Sequence, residues 1–289
     1  MANCLICNVC DTPGSFDEAA QVEVVRCNVR AFETDLFTVW RCPNCYSLHC
    51  KEDADLPRYY SRYPVQQHEL DLWARVAYRN YLSRLRRAGL LPGARVLDFG
   101  CGPGLLVKFL RENGYQAQGY DAYAQNFADA SVLDYQYDFV VAQDVLEHAE
   151  EPRELLKTLR SRVKVGGVLC IGTPDAAGID LSDAQTYSLS LHQPYHRHIL
   201  SEQALLALGH ECDLAPLQIY HRFYYDTLVP TVNYRFLRSY VRRAGNLLDA
   251  AFEPPRLGMV MTSPQLIFEA LFGYLFSPRS EMMVIFRRN

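Results

Sequence analysis

Three groups of residues in this chain have types and spacings that could do chemistry. The first is the run Val96-Leu97-Asp98-Phe99-Gly100-Cys101-Gly102-Pro103-Gly104, in which an apolar strand meets an acid and then a glycine at every second position. Such glycines let the backbone turn sharply and let a ligand approach where a Cβ would collide. A carboxylate in that turn favours a ligand carrying positive charge and disfavours a phosphate. The second group is Glu147-His148, directly after the segment Tyr137 to Asp144, together with the cluster His192-Gln193-Pro194-Tyr195-His196-Arg197-His198. Histidine titrates near neutrality, so His148 is the natural general base, with Glu147 placed to orient it or to hold a substrate. His196 or His198 could take that part if substrate entered from their side. The third group is Cys4-Leu5-Ile6-Cys7 and Cys42-Pro43-Asn44-Cys45, two C-x-x-C turns that can aim four sulfurs at one ion.

These groups need elements to hold them. Strand-like segments run through Val96 to Asp98, Gln116 to Tyr120, Tyr137 to Asp144, Val168 to Pro174, Leu214 to Tyr220 and Met282 to Arg287. Between them, helical spacing covers about Gln66 to Ala88, Leu105 to Asn113, Arg153 to Val163 and Ser201 to Leu208, with Pro103 suited to a first helical turn, Gly114 to a stop and Ser201 to a cap. Alternating strands and helices mean a parallel sheet, and ligands of such sheets bind at the carboxyl ends of the strands. Only sixteen residues, 122 to 137, separate Asp121 from Asp138. That is too few for a full helix, strand and turns, so the third helix is expected to be short or absent and the third strand a stub near Val132.

The block from Val96 to Gly104 resembles the first motif of class I S-adenosylmethionine-dependent methyltransferases. Its spacing is G-x-G-x-G, whereas dinucleotide sites carry G-x-G-x-x-G. Val145-Leu146-Glu147-His148-Ala149-Glu150-Glu151-Pro152 reads V-L-E-H-x-x-x-P and is similar to the ubiquinone-biosynthesis and small-molecule branch of that family. The resemblance covers about residues 66–289. It implies an α/β fold, a Rossmann-like seven-stranded sheet with helices on both faces and an antiparallel last strand. The implied cofactor is S-adenosylmethionine, held by Asp98, Gly100, Cys101, Gly102, Gly104, Asp121, Ala122, Gln143 and Asp144, with Asp121 accepting from the ribose hydroxyls. Asp129 is the candidate for adenine. His148, Glu147 and His196 fall on the acceptor side, and Tyr59, Tyr60 and Tyr63 could line the cofactor pocket that the helix from about Gln66 helps to close. The cluster at 192–198 matches the loop that covers the acceptor pocket.

Seven of the ten cysteines fall in the first fifty residues. The chain is neither small nor visibly secreted, so this clustering points to a metal in a reducing compartment and to a cytoplasmic protein. The expected site is structural Zn2+ on Cys4, Cys7, Cys42 and Cys45, in a ribbon whose strands include Val22 to Val25 and Phe37 to Trp40. Cys10, Cys27, Cys50 and His49 are spare, and Cys7-Asn8-Val9-Cys10 is itself a C-x-x-C that could shift the ligand choice. The organisation expected is a zinc ribbon over 1–57 and a methyltransferase domain over 58–289, with an apolar helical insertion at 222–281.

Composition narrows the partners. The net charge is −4, and residues 1–60 hold nine acids against five bases, so neither chain nor ribbon offers the basic surface that nucleic acid requires. No apolar stretch reaches the ~20 residues of a bilayer span. The segment Leu266 to Phe276 carries Glu269 as its one charge and could cap an apolar acceptor site, form a homodimer face or lie on a membrane surface. The function expected is methyl transfer to a small-molecule or carrier-linked acceptor, on sugar or apolar chemistry and on C, O or N. The rivals are a protein or RNA methyltransferase docking through the ribbon and a catalytically silent scaffold.

Overall fold

The computed structural model describes residues 3–64 and 69–289. The chain begins with three strands, β1 (Gln21–Arg26), β2 (Leu36–Arg41) and β3 (Leu48–Cys50), followed by α1 (Leu56–Tyr60) and α2 (Leu72–Arg87). The expected start of α2 near Gln66 falls outside the described residues; the helix begins after Asp71, whose carboxylate caps it through the Ala74 amide.

An alternating series then builds the main sheet: β4 (Arg95–Phe99), α3 (Leu105–Glu112), β5 (Gln116–Tyr120), β6 (Tyr137–Gln143), α4 (Pro152–Arg162) and β7 (Val163–Pro174). After a loop come α5 (Ser188–Leu191), β8 (His198–Ile199), α6 (Glu202–Glu211) and β9 (Leu214–Tyr220). The region before the final strand holds α7 (Tyr234–Arg243), α8 (Leu257–Met261) and α9 (Pro264–Phe272), and β10 (Glu281–Arg288) ends the chain. The sheet order is β5-β4-β6-β7-β10-β9, with β10 inserted antiparallel between β7 and β9.

Three expectations are corrected. The sheet has six strands among the described residues, not seven. In place of a strand near Val132 the chain makes two short 3-10 turns, Gln125–Phe127 and Ala130–Asp134, because the sixteen-residue link is spent on crossing the edge of the sheet. Asp129 is accordingly a cap, accepting from the Ser131 amide at 2.9 Å. Pro103 lies before the first turn of α3, not within it, since Gly104 occupies the cap position.

The amino-terminal residues are not packed as a unit of their own. β1, β2 and β3 form a second sheet whose fourth strand is β8, with His49 paired to His198 across β3 and β8. Cys7, Val9, Trp40, Cys42 and Cys45 share one buried cluster with Leu97, Val140, Leu205 and Met282 of the main domain. A polar seam runs alongside: Ser201 Oγ caps α6 and donates to the Cys45 carbonyl at 2.6 Å, and Arg41 donates to the carbonyls of Ala176 and Ile179. One shared core implies one cooperative transition. In a Trp73→Phe background, Trp40 fluorescence reports the amino-terminal sheet and far-ultraviolet circular dichroism reports the whole. The two urea curves should coincide; a separate, earlier loss of the Trp40 signal would mean that the sheets are held apart energetically.

Candidate active site

The turn after β4 is built from three residues with positive φ: Gly100 (76°), Gly102 (50°) and Gly104 (78°). Two of the three are also glycine for lack of room. A Cβ on Gly100 would lie 2.3 Å from Val145 Cγ2, and one on Gly104 would lie 2.2 Å from Phe127 Cζ. At Gly102 a Cβ would meet nothing within 4 Å, so this backbone faces open space. The Gly102 amide donates to Asp121 Oδ2 at 2.9 Å, while Asp121 Oδ1 accepts from the amides of Tyr123 and Ala124. Cys101 stays close by, donating to the Gly102 carbonyl, and Ala122 is exposed at the same rim.

Acidic groups collect along this edge because β4, β5 and β6 are parallel and end together. Asp98 is buried, and that burial, followed by the charge of Asp121, raises its carboxyl to about 7. Asp144 follows β6 in the left-handed region at φ 52°. Burial raises it to about 6, with a hydrogen bond from the Tyr224 hydroxyl acting the other way. Gln143 turns inward, donating to Tyr81 Oη at 2.7 Å and leaving Oε1 buried without a partner. Tyr224 and Tyr225, the latter donating to Tyr78 Oη at 3.0 Å, close the inner side of the edge. Neither was singled out from the sequence, where the tyrosine-rich stretch after β9 carried no spacing signal.

Beyond Asp144 the 3-10 turn Leu146–His148 presents the acid and base. His148 Nδ1 lies 3.0 Å from the Tyr195 carbonyl and 3.1 Å from Tyr60 Oη. A carbonyl only accepts, so Nδ1 carries the proton and Nε2 holds the lone pair. Burial lowers this ring to about 4, which keeps it neutral and able to accept a proton. Glu147 is fully buried; Thr173 Oγ1 donates to Oε2 at 3.0 Å, and Oε1 has no hydrogen-bond partner. Burial, then Asp144, pushes the Glu147 carboxyl well above the ordinary range. His196 donates from Nδ1 to the Ser190 carbonyl at 2.7 Å, and its Nε2 stands 4.0 Å from Glu147 Oε1. Both rings thus hold their lone pair on Nε2; that of His196 is turned toward Glu147.

An aromatic wall completes the recess. Tyr60 stacks on Tyr123, with ring centroids 5.1 Å apart, and meets Tyr195 edge-on at 5.2 Å. The Tyr63 hydroxyl sits 3.1 Å from His192 Nε2, whose Nδ1 donates to Asn28 Oδ1 at 2.6 Å. Tyr60 and Tyr63, expected along the cofactor pocket, stand against His148 and His192. Tyr59 instead turns toward Asp35, donating at 2.8 Å, and belongs to the packing beneath. Tyr123, Tyr195 and Asn28 were not foreseen. Asn28 comes from the amino-terminal segment, and no local pattern could have placed it in the wall.

The cysteines regroup. Cys7, Cys10, Cys42 and Cys45 offer four sulfurs within 4.8 Å of one another, with Sγ–Sγ separations of 3.7 Å (Cys7–Cys45 and Cys7–Cys10) and 3.9 Å (Cys10–Cys42). Thiolates at about 2.3 Å from one tetrahedral zinc stand about 3.8 Å apart, so the set has the dimensions of such a site. Cys4 is the corrected ligand: its backbone is tied to Lys51 and to the Trp40 indole, which carries its sulfur toward His49 and His198, and Cys10 takes its place.

A family model described as a methyltransferase domain matches residues 71–219. The chain belongs to the class I S-adenosylmethionine-dependent methyltransferase family. Ubiquinone biosynthesis O-methyltransferase of Bradyrhizobium diazoefficiens is 31% identical over 117 residues, which are 34% of this chain and 46% of the relative. The mitochondrial ubiquinone biosynthesis O-methyltransferase of Schizosaccharomyces pombe is 28% identical over 111 residues, 30% of this chain and 40% of that one. The chain thus spans under half the length of these curated relatives. Among solved structures, a sarcosine dimethylglycine methyltransferase of Galdieria sulphuraria aligns at TM-score 0.45 and 20% identity, covering 73% of this chain and 85% of that one.

The methyltransferase's cofactor, S-adenosylmethionine, carries a sulfonium and an ammonium, and the acid-rich rim at Asp98, Asp121 and Asp144 suits that charge. If the donor's cation binds beside Asp98, it stabilises the carboxylate, and binding then releases the proton that Asp98 holds below its raised pKa near 7. Because the folded pKa lies above the ordinary 3.8, the protonated form is favoured as pH falls and competes with the donor. The dissociation constant measured by titration calorimetry should be flat above pH ~7.5 and weaken by up to ~10-fold per pH unit below about 7. Asp98→Asn should bind at least ~10-fold more weakly above that pH and lose most of the slope.

Proposed function

We propose that this methyltransferase acts on a small acceptor, free or carrier-linked, through an oxygen or nitrogen nucleophile that His148 deprotonates. One observation carries the reading: His148 is locked with Nδ1–H on the Tyr195 carbonyl, so Nε2 holds the lone pair of a neutral ring beside the tyrosines Tyr60 and Tyr195. When bound, S-adenosylmethionine supplies a methyl group on a positively charged sulfur, an electrophile that needs no activation. The protein's part is to position the acceptor and to take its proton. Tyr60, Tyr123 and Tyr195 supply flat faces against which a planar or apolar acceptor can lie, and Tyr60 Oη reaches His148 itself. His148 Nε2 accepts the proton, and the Tyr195 carbonyl stabilises the imidazolium that results.

Support for a small acceptor comes from burial: the 192–198 side chains beside His148, among them His192, Tyr195 and His196, are packed into the interior. The names of the curated relatives, which describe O-methylation in ubiquinone biosynthesis, point the same way. The 1–60 region keeps its excess of acids, which argues against RNA as substrate. We also propose that Cys7, Cys10, Cys42 and Cys45 hold a structural zinc, a closed four-thiolate site with no position left for substrate. It would fix the two turns beneath β7 and α6.

Two measurements test this reading. Incubating the enzyme with cell extract and isotope-labelled methyl donor should place label in a low-molecular-weight compound; label confined to protein or RNA would overturn it. With that acceptor in hand, His148→Asn should lower kcat by ~10²–10⁴-fold while changing donor affinity less than about twofold. Since burial holds the ring near 4, the wild-type profile should show no limb at the usual histidine pKa from this residue.

A further inference from the structure

We infer that Cys4, His49 and His198 form a second metal site, separate from the four-cysteine cluster, that takes a borderline divalent ion of the zinc class. One sulfur and one nitrogen from each ring lie within 4.8 Å of one another. His49 and His198 are 1% and 2% exposed, and Cys4 is partly accessible.

The hydrogen bonds turn two ring nitrogens toward one another at the place a cation would take. His198 Nε2 faces the Glu150 carbonyl at 3.0 Å, so that nitrogen carries the proton and Nδ1 holds the lone pair. His49 Nδ1 stands 2.8 Å from that lone pair. If His49 Nδ1 is protonated, it donates to His198 and its own Nε2 becomes a buried lone pair without a partner. If Nε2 is protonated, the two Nδ1 lone pairs face each other and the Nε2–H is unpartnered. His49 Nε2 lacks a partner in both cases, and an ion at Nδ1 would leave it so; what a cation relieves is the pair of facing Nδ1 lone pairs of the second case. An ion between the rings would satisfy both facing lone pairs. Nitrogens bound to tetrahedral zinc at about 2.0–2.1 Å stand about 3.4 Å apart, so the rings need to part by only about half an ångström.

The surroundings are those of metal ligands. The Glu150 carbonyl fixes the tautomer of His198, as a ligand's outer partner does. Burial keeps both rings neutral, their lone pairs available. Thiol binding would release the Cys4 proton to solvent, giving one thiolate, two imidazoles and a fourth position for water. Such an ion would clamp β3 to β8 at the point where the amino-terminal sheet meets the acceptor loop. Arg197, adjacent to His198, donates its amide to the Glu147 carbonyl at 2.7 Å, so the clamp is one residue from the acid–base turn.

The test is metal stoichiometry of the full chain. Reduced, chelator-treated protein is loaded with Zn2+, passed over a desalting column and analysed by mass spectrometry of the elements; a parallel anaerobic Co2+ titration is followed by absorbance. Two ions per chain are expected in the wild type, one in Cys4→Ser and one in His198→Asn. In Cys42→Ser/Cys45→Ser the four-sulfur ion should be lost and this one kept. The Co2+ titration should show sulfur-to-metal charge transfer rising in two phases, the weaker one absent from Cys4→Ser. A single ion in the wild type that Cys4→Ser keeps, or two ions retained in Cys4→Ser, would overturn the proposal. Failure of the four-cysteine reading would show differently, as a stoichiometry that Cys42→Ser/Cys45→Ser leaves unchanged. His198→Asn decides the matter in the same way if Cys4→Ser does not fold.

Discussion

The structure turns on the accumulation of negative groups at the carboxyl edge of one sheet. Asp98, Asp121, Asp144 and Glu147 all follow or end parallel strands there, and three of them are held well above the ordinary carboxyl range, chiefly by burial. A protein that concentrates carboxyl groups where water is scarce either keeps them protonated or brings in positive charge. Here hydroxyls of Tyr224 and Thr173 satisfy individual oxygens, yet the charge itself is left for a ligand to balance. A sulfonium and an ammonium are suited to that deficit, and a dinucleotide's pyrophosphate is not. The same edge that would be a folding liability in isolation has the charge that suits a cationic donor.

The second constraint is covalent continuity between the acceptor loop and the amino-terminal sheet. The loop after β7 returns as β8, the fourth strand of a sheet that otherwise consists of residues 21–50. Whatever stiffens that sheet therefore stiffens residues 192–198, and with them His192, His196 and the Tyr195 carbonyl that sets the tautomer of His148. Asn28 makes the link direct, holding His192 from one side and the Ser188 carbonyl from the other. The cysteine-rich module is a wall of the site more than a separate appendage.

The glycine turn and the acids at the strand ends were legible in the sequence because their geometry is local. Asp98, the three glycines and Asp121 act through backbone conformation and strand ends, which a few adjacent residues specify. The strands at Gln116–Tyr120 and Leu214–Tyr220 emerge with the ends expected of them. What was not legible depends on distant pairing. Cys10 displaces Cys4 from the four-sulfur set because Cys4 is drawn away by Lys51 and Trp40, contacts that C-x-x-C spacing does not encode. Tyr224 and Asn28 reach the site across 80 and 164 residues of sequence from their partners Asp144 and His192. The missing edge strand was foreshadowed by the short link after Asp121, but chain length alone could not say that 3-10 turns would replace it.

The neutral histidines give the acceptor side its character. His148, His192 and His196 lie with ring centroids 4.8 and 5.0 Å apart in successive edge-on pairs, and all three are driven below the ordinary imidazole pKa mainly by burial. Protonating one would raise the cost of protonating its neighbours, so the cluster can hold one new positive charge at most. The carboxyl of Glu147, 4.0 Å from His196 Nε2, is where that charge would be compensated, by giving up its own proton or by attracting the imidazolium. Proton uptake during transfer is thus confined to a site that is neutral before the reaction, beside an edge that is negative. On the proposed reading, that gradient would draw the cationic donor to Asp98 and leave His148 to serve the acceptor.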